Sequence, residues 1–310
     1  MLRAILFLAF SLPSFALFQD KFVRHLQRPV FYSTIKLIRP ENCLPTVLLN
    51  VAGACIVRPS LIKSVPFLSS VAITQTIMAS SMVMNDIFDL PVDRVNQPDR
   101  PLVQGLISVR YATLLALGLL GVAELINLKF IPYKHRYITH LSAALAVLYT
   151  PVCKRVFLLK NISCAMLVSS SVLFSGLAID VPMNRLAWTK LVAACRLIFL
   201  GSFSNEILLD INDISGDAER GIYTIPVLFG DETSWNVAYS VMYLNILLNM
   251  LDITYSFNMK SGLAFLCICY PTLLFLLDVQ TQNYNRNSVS KYCKKSMVPM
   301  AVALFFLTKL

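Results

Sequence analysis

The sequence predicts an all-α, polytopic membrane fold of about nine transmembrane helices, and three observations predict it. Hydrophobic residues make up 56% of the 310 residues and charged residues only 14%, against about 25% charged in an ordinary soluble domain. Mean hydropathy is +0.66. Apolar runs of about 15 to 25 residues recur near 41–58, 66–90, 108–128, 137–152, 161–180, 187–209, 234–257, 262–280 and 296–310.

Ahead of these runs, Arg3 precedes an apolar stretch from Ala4 to Phe10, and Pro13 to Ala16 reads as a cleavage region. Residues 19–39 then hold five Lys/Arg and His25 against Asp20 alone, which resembles a transit peptide behind a secretory signal. The expected organisation is a targeting leader and basic arm over 1–39 and a single transmembrane domain over 40–310. The leader points to a plastid bounded by extra membranes, with the ER or another organelle membrane as the alternative. Within the runs, Pro45, Pro271 and Pro299 are compatible with spans, because neighbouring helices re-satisfy the freed carbonyls. The fourth run is near the lower length limit and the last ends at Leu310.

The net charge of +10 does not indicate a nucleic-acid partner, because the basic residues are scattered through short loops. Alternating helices place sixteen Lys/Arg on the side that holds Arg39, Arg94, Arg100, Lys154, Arg155 and Arg220, and nine on the other. That side is therefore cytosolic, stromal or matrix. Six of the eight cysteines fall in apolar runs without a C-x-x-C pair, and none of the three histidines is near a carboxylate window, so neither a disulfide framework nor a zinc site is indicated.

Nine of the seventeen acidic residues lie in two windows that repeat one spacing: Asp86, Asp89, Asp93 and Asp210, Asp213, Asp217. Offsets of three and seven put such carboxylates on one helical stripe. Each would cost about 2.5–3.5 kcal/mol in hydrocarbon, so cationic partners are required. In the first window, Pro91 is expected to break the helix after Leu90 and leave Asp93 in the turn. Arg94 and Arg100 follow. In the second, Glu206 joins the aspartate face, and Gly216, Arg220 and Gly221 open the next turn. Both windows close helices on the basic side. Carboxylates in this arrangement suit Mg²⁺, which takes oxygen ligands and bridges one or two carboxylates to a phosphate. A third element, Tyr149-Thr150-Pro151-Val152-Cys153-Lys154-Arg155, with Lys160-Asn161 shortly after it, offers Lys154 and Arg155 to neutralise diphosphate oxygens, or else as ordinary membrane-side anchors.

With these elements in order, the chain closely resembles the UbiA superfamily of intramembrane prenyltransferases. The resemblance rests on Leu37-Ile38-Arg39-Pro40-Glu41-Asn42 opening the first helix, Asn85-Asp86-x-x-Asp89-x-x-x-Asp93, Tyr149-Thr150-Pro151 with Lys154-Arg155, and Asp210-x-x-Asp213-x-x-x-Asp217. It implies helices around a central cavity and Mg²⁺-dependent transfer of an isoprenoid chain from a prenyl diphosphate donor to a hydrophobic acceptor within membrane lipid. By resemblance, Asp86, Asp89, Asp210 and Asp213 hold Mg²⁺ with help from Asp93 and Asp217. Asn42, Asn85, Tyr149, Lys154 and Arg155 bind the substrate, and Arg94, Arg100 and Arg220 lie around the phosphate. The phrases Asp93 to Leu102 and Gly216 to Gly221 look most like geranylgeranylglyceryl phosphate geranylgeranyltransferases, chlorophyll synthases and homogentisate prenyltransferases. Asn205 and Gln104 depart from those patterns, which leaves the acceptor open. A terpene cyclase on the same scaffold and a non-catalytic cation transporter are the alternatives. Mid-span Arg196 is expected to face the cavity or the surroundings of Glu206. Phe88, Tyr149, Phe199 and Phe203 are candidates to shield a carbocation.

Overall fold

The computed structural model describes residues 29–219 and 221–310, so the leader over 1–18 and most of the basic arm lie outside the described residues. Every element among them is helical. A short helix α1 (Pro29–Ile38) leads into α2 (Cys43–Val57), followed by α3 (Val65–Phe88), α4 (Leu90–Asn96), α5 (Val109–Phe130) and α6 (Arg136–Tyr149). Then come α7 (Leu159–Ala178), α8 (Arg185–Asn212), α9 (Ile214–Glu219), α10 (Ile225–Ser256), α11 (Met259–Thr281) and α12 (Arg286–Lys309). Nine of these helices fall on the nine predicted runs.

Among the described residues, seven stretches, the first joining α1 to α2, are long and apolar enough to cross a membrane. The other two fall short for different reasons. With 14 residues, α6 is about 21 Å long at about 1.5 Å per residue, less than the roughly 30 Å hydrocarbon core. The first half of α12 carries Arg286, Lys291, Lys294 and Lys295, which dilute its hydropathy.

The helix starts follow from the sequence. Ser64, Ser108, Asn184, Asn258 and Asn285 each accept a backbone N–H three residues on, capping α3, α5, α8, α11 and α12. Between helices, the core is joined by small residues and buried polar groups, as lipid-facing bundles require. Gly53 of α2 is one such point: a Cβ there would lie 2.1 Å from the Val172 carbonyl oxygen of α7. The Ser80 hydroxyl donates to the Ala116 carbonyl across α3 and α5, and Ser204 to Ala238 across α8 and α10. All eight cysteines are free thiols.

One cavity of about 900 Å³ opens among α2, α3, α6, α7 and α8. At the opposite end of the bundle, Lys134 and Asp180 join the loops after α5 and α7 at 2.6 Å. The Lys134 ammonium beside Asp180 holds that carboxyl below its usual range.

Candidate functional site

Each aspartate window is built from a long helix, a break and a short second helix, which corrects the single stripe expected from spacing. In the first, α3 stops at Phe88 and Asp89 marks the break. Pro91 lies in the first turn of α4, where its missing N–H has no intrahelical partner to lose. Asp93 is therefore helical and not in a turn, with its N–H bonded to the Asp89 carbonyl at 2.8 Å. The second window repeats the plan: α8 ends at Asn212, Asp213 marks the break, and Asp217 lies on α9 with its N–H 2.8 Å from the Asp213 carbonyl.

The cations required by six clustered carboxylates come from separate parts of the chain. Arg39 donates to Asp86 at 2.6 Å, and Arg100 bridges Asp86 and Asp93 at 2.5 and 2.7 Å. Lys154 reaches Asp89 at 2.6 Å. Lys160 lies 2.5 Å from Asp210 and 3.7 Å from Asp217, while Asn161 donates to the second Asp210 oxygen at 2.8 Å. Arg286 stands 3.6 Å from Asp213 in an exposed pair. Burial raises the Asp93 carboxyl above its ordinary range, and Arg100 opposes that rise.

These groups crowd one end of the cavity, whose wall includes Asp89, Asp93, Asp210, Asp213 and Asp217 with Arg39, Arg100, Lys154 and Lys160. Deeper along it the wall turns apolar, with Leu49, Ile73, Ile77, Leu167, Val168 and Phe174. The space is at the upper end of small-molecule sites, about 300–1,000 Å³. An anionic head at the charged end and a hydrocarbon tail along the apolar wall are what this lining accommodates.

The predicted residues divide by position. Asn85, Tyr149, Lys154 and Arg100 line the cavity, and Asn85 accepts from Thr150 at 3.2 Å. Asp86 is buried behind its two arginines rather than on the wall. Asn42 lies beside Met82, its amide nitrogen 3.8 Å from the sulfur and off the wall. Arg94 and Arg155 are exposed outside it. Arg220 lies outside the described residues. Glu206 is on the wall one turn before Asp210, hydrogen-bonded with Cys164.

Two expectations fail. Arg196 faces neither the cavity nor Glu206; it pairs with Asp252 at 2.5 Å and Asn249 at 3.1 Å on α10, because the turn of α8 that carries it packs against that helix. Of the four aromatics, Tyr149 lines the cavity, whereas Phe88 is exposed and Phe199 stacks on Phe203 off the wall. Sequence reasoning gave no site role to Arg39, Lys160, Asn161 or Arg286. The first three stand inside or beside quoted motifs, which was a usable signal; Arg286 carries none.

The donor set fits Mg²⁺ in kind, being carboxylate oxygens in two clusters on one cavity. Among the described residues, however, no three acidic, thiol or imidazole side chains converge to hold a metal ion, since each window is threaded by basic side chains.

Comparison with known proteins follows the same outline. The UbiA prenyltransferase family matches residues 44–308. A digeranylgeranylglyceryl phosphate synthase from Natronomonas pharaonis is 28% identical over 272 residues, covering 87% of this chain and 94% of that protein. One from Methanopyrus kandleri is 33% identical over 208 residues, covering 66% and 72%. Among solved structures, a digeranylgeranylglyceryl phosphate synthase superposes with a TM-score of 0.71 at 25% identity, covering 90% of this chain and 98% of that one. A UbiA homolog from Archaeoglobus fulgidus bound to DMAPP and Mg²⁺ superposes with a TM-score of 0.63 at 18% identity, covering 88% and 99%, and carries the fold alone.

Proposed function

Since the chain belongs to the UbiA prenyltransferase family, we propose that it transfers a geranylgeranyl-class chain from an allylic diphosphate to a prenylated glycerol phosphate, releasing diphosphate. The family makes it a prenyltransferase, and its seven apolar stretches make it an integral multi-pass membrane protein. The choice of acceptor rests on the named relatives, which are digeranylgeranylglyceryl phosphate synthases.

The observation that carries the reading is the polarity of the cavity, with charged groups at one end and an apolar wall beyond. Lys154, Arg39 and Arg100 face the end where a diphosphate would sit, and preorganised cations there stabilise the charge that grows as the allylic C–O bond breaks. The electron pair leaves on the diphosphate oxygen; the acceptor hydroxyl then closes the new ether bond at the allylic carbon and loses its proton to the released diphosphate. Mg²⁺ would be held by the first-window carboxylates, Asp89 foremost, and would supply further positive charge against the leaving group. Tyr149 lines the same wall, its ring centroid 5.8 Å from the Lys154 ammonium, and is the aromatic we assign to cover the cationic carbon.

The test is product identification with the purified full chain, Mg²⁺ and geranylgeranyl diphosphate, with and without geranylgeranylglyceryl phosphate. An acceptor-dependent, doubly prenylated product that disappears with a chelator is expected. Chain closure without acceptor would instead support the cyclase, and metal-independent turnover would remove the role given to the first window. A transporter loses its ground, because the carboxylates lie at helix ends rather than midway along them.

We also infer that the described part of the basic arm, 29–39, contributes to the body that follows it. Leu37 of α1 is fully buried against Val83 and Ala112, and Arg39 pairs with Asp86. A plastid address rests on the leader sequence alone; the archaeal relatives give it no support.

A further inference from the structure

The outer side of α12 changes character along its length. At about 100° per residue, Lys291, Lys294, Lys295, Val298 and Val302 fall within one arc of about 100°. All five are exposed, Val298 at 65% and Val302 at 50%. The valines mark this stripe as one that meets acyl chains, and the lysines continue it toward the start of the helix. That start lies on the side of the aspartate windows, where Arg286 donates to the Asn212 carbonyl at 3.2 Å.

Below the lysines, residues 296–308 span only about 20 Å before Lys309, against a hydrocarbon core of roughly 30 Å. The three ammonium groups therefore stand where acyl chains give way to head groups, and cations at that depth require an anion. The chain itself supplies little. Asp278 of α11 is 4.0 Å from Lys291, in a pair whose partners are both about half exposed. Lys295 lies 5.4 Å from the Phe275 ring centroid, and among the described residues no carboxylate pairs with Lys294 or Lys295.

We propose that this stripe is a docking site for the phosphate of an anionic lipid, held by Lys291, Lys294 and Lys295 in the leaflet on the side of the aspartate windows. The site is separate from the cavity and does not depend on the reaction carried out there. Orientation in the membrane needs only charge in a flanking loop. Three ammonium groups within about one turn, on the face that meets lipid, instead offer convergent N–H donors to phosphate oxygens, while Val298 and Val302 continue along the acyl chains.

The test is a titration of the full chain in neutral detergent with phosphatidic acid, with phosphatidylcholine of the same chains, or with inorganic phosphate, the bound molecules being counted by native mass spectrometry. Phosphatidic acid is expected to bind in preference to phosphatidylcholine. Lys294→Gln should weaken it about fivefold and the triple change Lys291→Gln, Lys294→Gln and Lys295→Gln at least about tenfold, with phosphatidylcholine unaffected. Arginine at the same three positions should restore binding, and Asp278→Asn, which removes the competing carboxylate, should tighten it. Unchanged affinity in the triple variant would overturn the proposal, and unchanged affinity in Lys294→Gln decides the matter if the triple variant does not fold. Equal competition by inorganic phosphate would also overturn it, since a free anion would then suffice. So would a loss seen in Lys154→Gln and not in the stripe, which would put the lipid in the cavity, or a change of oligomeric state in the triple variant without a change in lipid affinity, which would assign the stripe to a second copy of the chain.

Discussion

The first and second aspartate windows have the same letters at the same spacing, each ends a long helix, and each continues into a short one, yet their middle carboxylates are held very differently. Asp89 lies on the cavity wall with Lys154 at 2.6 Å, both about one-fifth exposed. Asp213 reaches the same cavity from its rim, more than half exposed, with Arg286 at 3.6 Å. The outer carboxylates differ too: two arginines serve the first window, a lysine and an asparagine the second. Repeated spacing marks both halves of a site without making them equivalent. Equivalence depends on which cations the rest of the chain delivers, and the variants below are chosen to separate the halves.

The largest effect tests what the halves share. Asp89→Ala and Asp210→Ala each remove a wall carboxylate and leave a lysine ammonium, Lys154 or Lys160, without its main partner. Each is expected to lower turnover by at least about 10³-fold while the protein still inserts in the membrane. Retention of near-normal turnover by one of them would show that its window is scaffolding.

Next in size is Lys154→Gln. A charge-assisted contact to the diphosphate in a partly dehydrated site is worth about 1.5–3 kcal/mol, or about 10- to 150-fold in kcat/KM. Because the head group is common to all donors, the loss should be the same for short and long prenyl diphosphates. A loss confined to one chain length would move Lys154 away from the head group.

Arg100→Lys asks whether the first window needs a fork. One guanidinium nitrogen lies within 2.7 Å of both Asp86 and Asp93, and the planar group also bonds Gln97. A lysine keeps the charge but not the fixed donor geometry, so a loss of about 1–2 kcal/mol, roughly 5- to 30-fold, is expected in kcat/KM. Full activity would mean that charge alone bridges this window, which would make it more like the second than the geometry indicates.

The all-helical membrane fold was legible because membrane burial writes itself into long apolar runs, and the windows because carboxylates stand out against such a background. Of the two helix breaks, Pro91 signalled the first, two residues late, but it restarts a helix instead of ending one, and nothing in the sequence signalled the second at Asp213. What was illegible is tertiary. Arg39 sits in a stretch whose basic composition resembled a leader, Lys160 among apparent membrane anchors, and Arg286 some seventy residues beyond the aspartate it meets. Arg196 was misassigned for the same reason, since the rotation of α8 about its own axis is set by packing against α10, and hydropathy does not report rotation.

The smallest effect is the one that tests the asymmetry most directly. If Arg286 served Asp213 as Lys154 serves Asp89, Arg286→Gln would match Lys154→Gln in cost. Its pair with Asp213 is long and both partners are mostly exposed, so water and salt screen it, and such pairs contribute about 0–1 kcal/mol. Arg286→Gln is therefore expected to change kcat/KM less than about fivefold, and the difference from the unaltered protein should shrink further as salt is raised. Arg155→Gln serves as the control beside it, an exposed cation next to Lys154 but off the wall, and should behave as Arg286→Gln does. A salt-insensitive loss above about tenfold for Arg286→Gln would place that guanidinium on the bound diphosphate, because only a desolvated contact resists screening. In that event the second window would draw its working cation from α12 as well as from α7, and the two halves of the site would be alike after all.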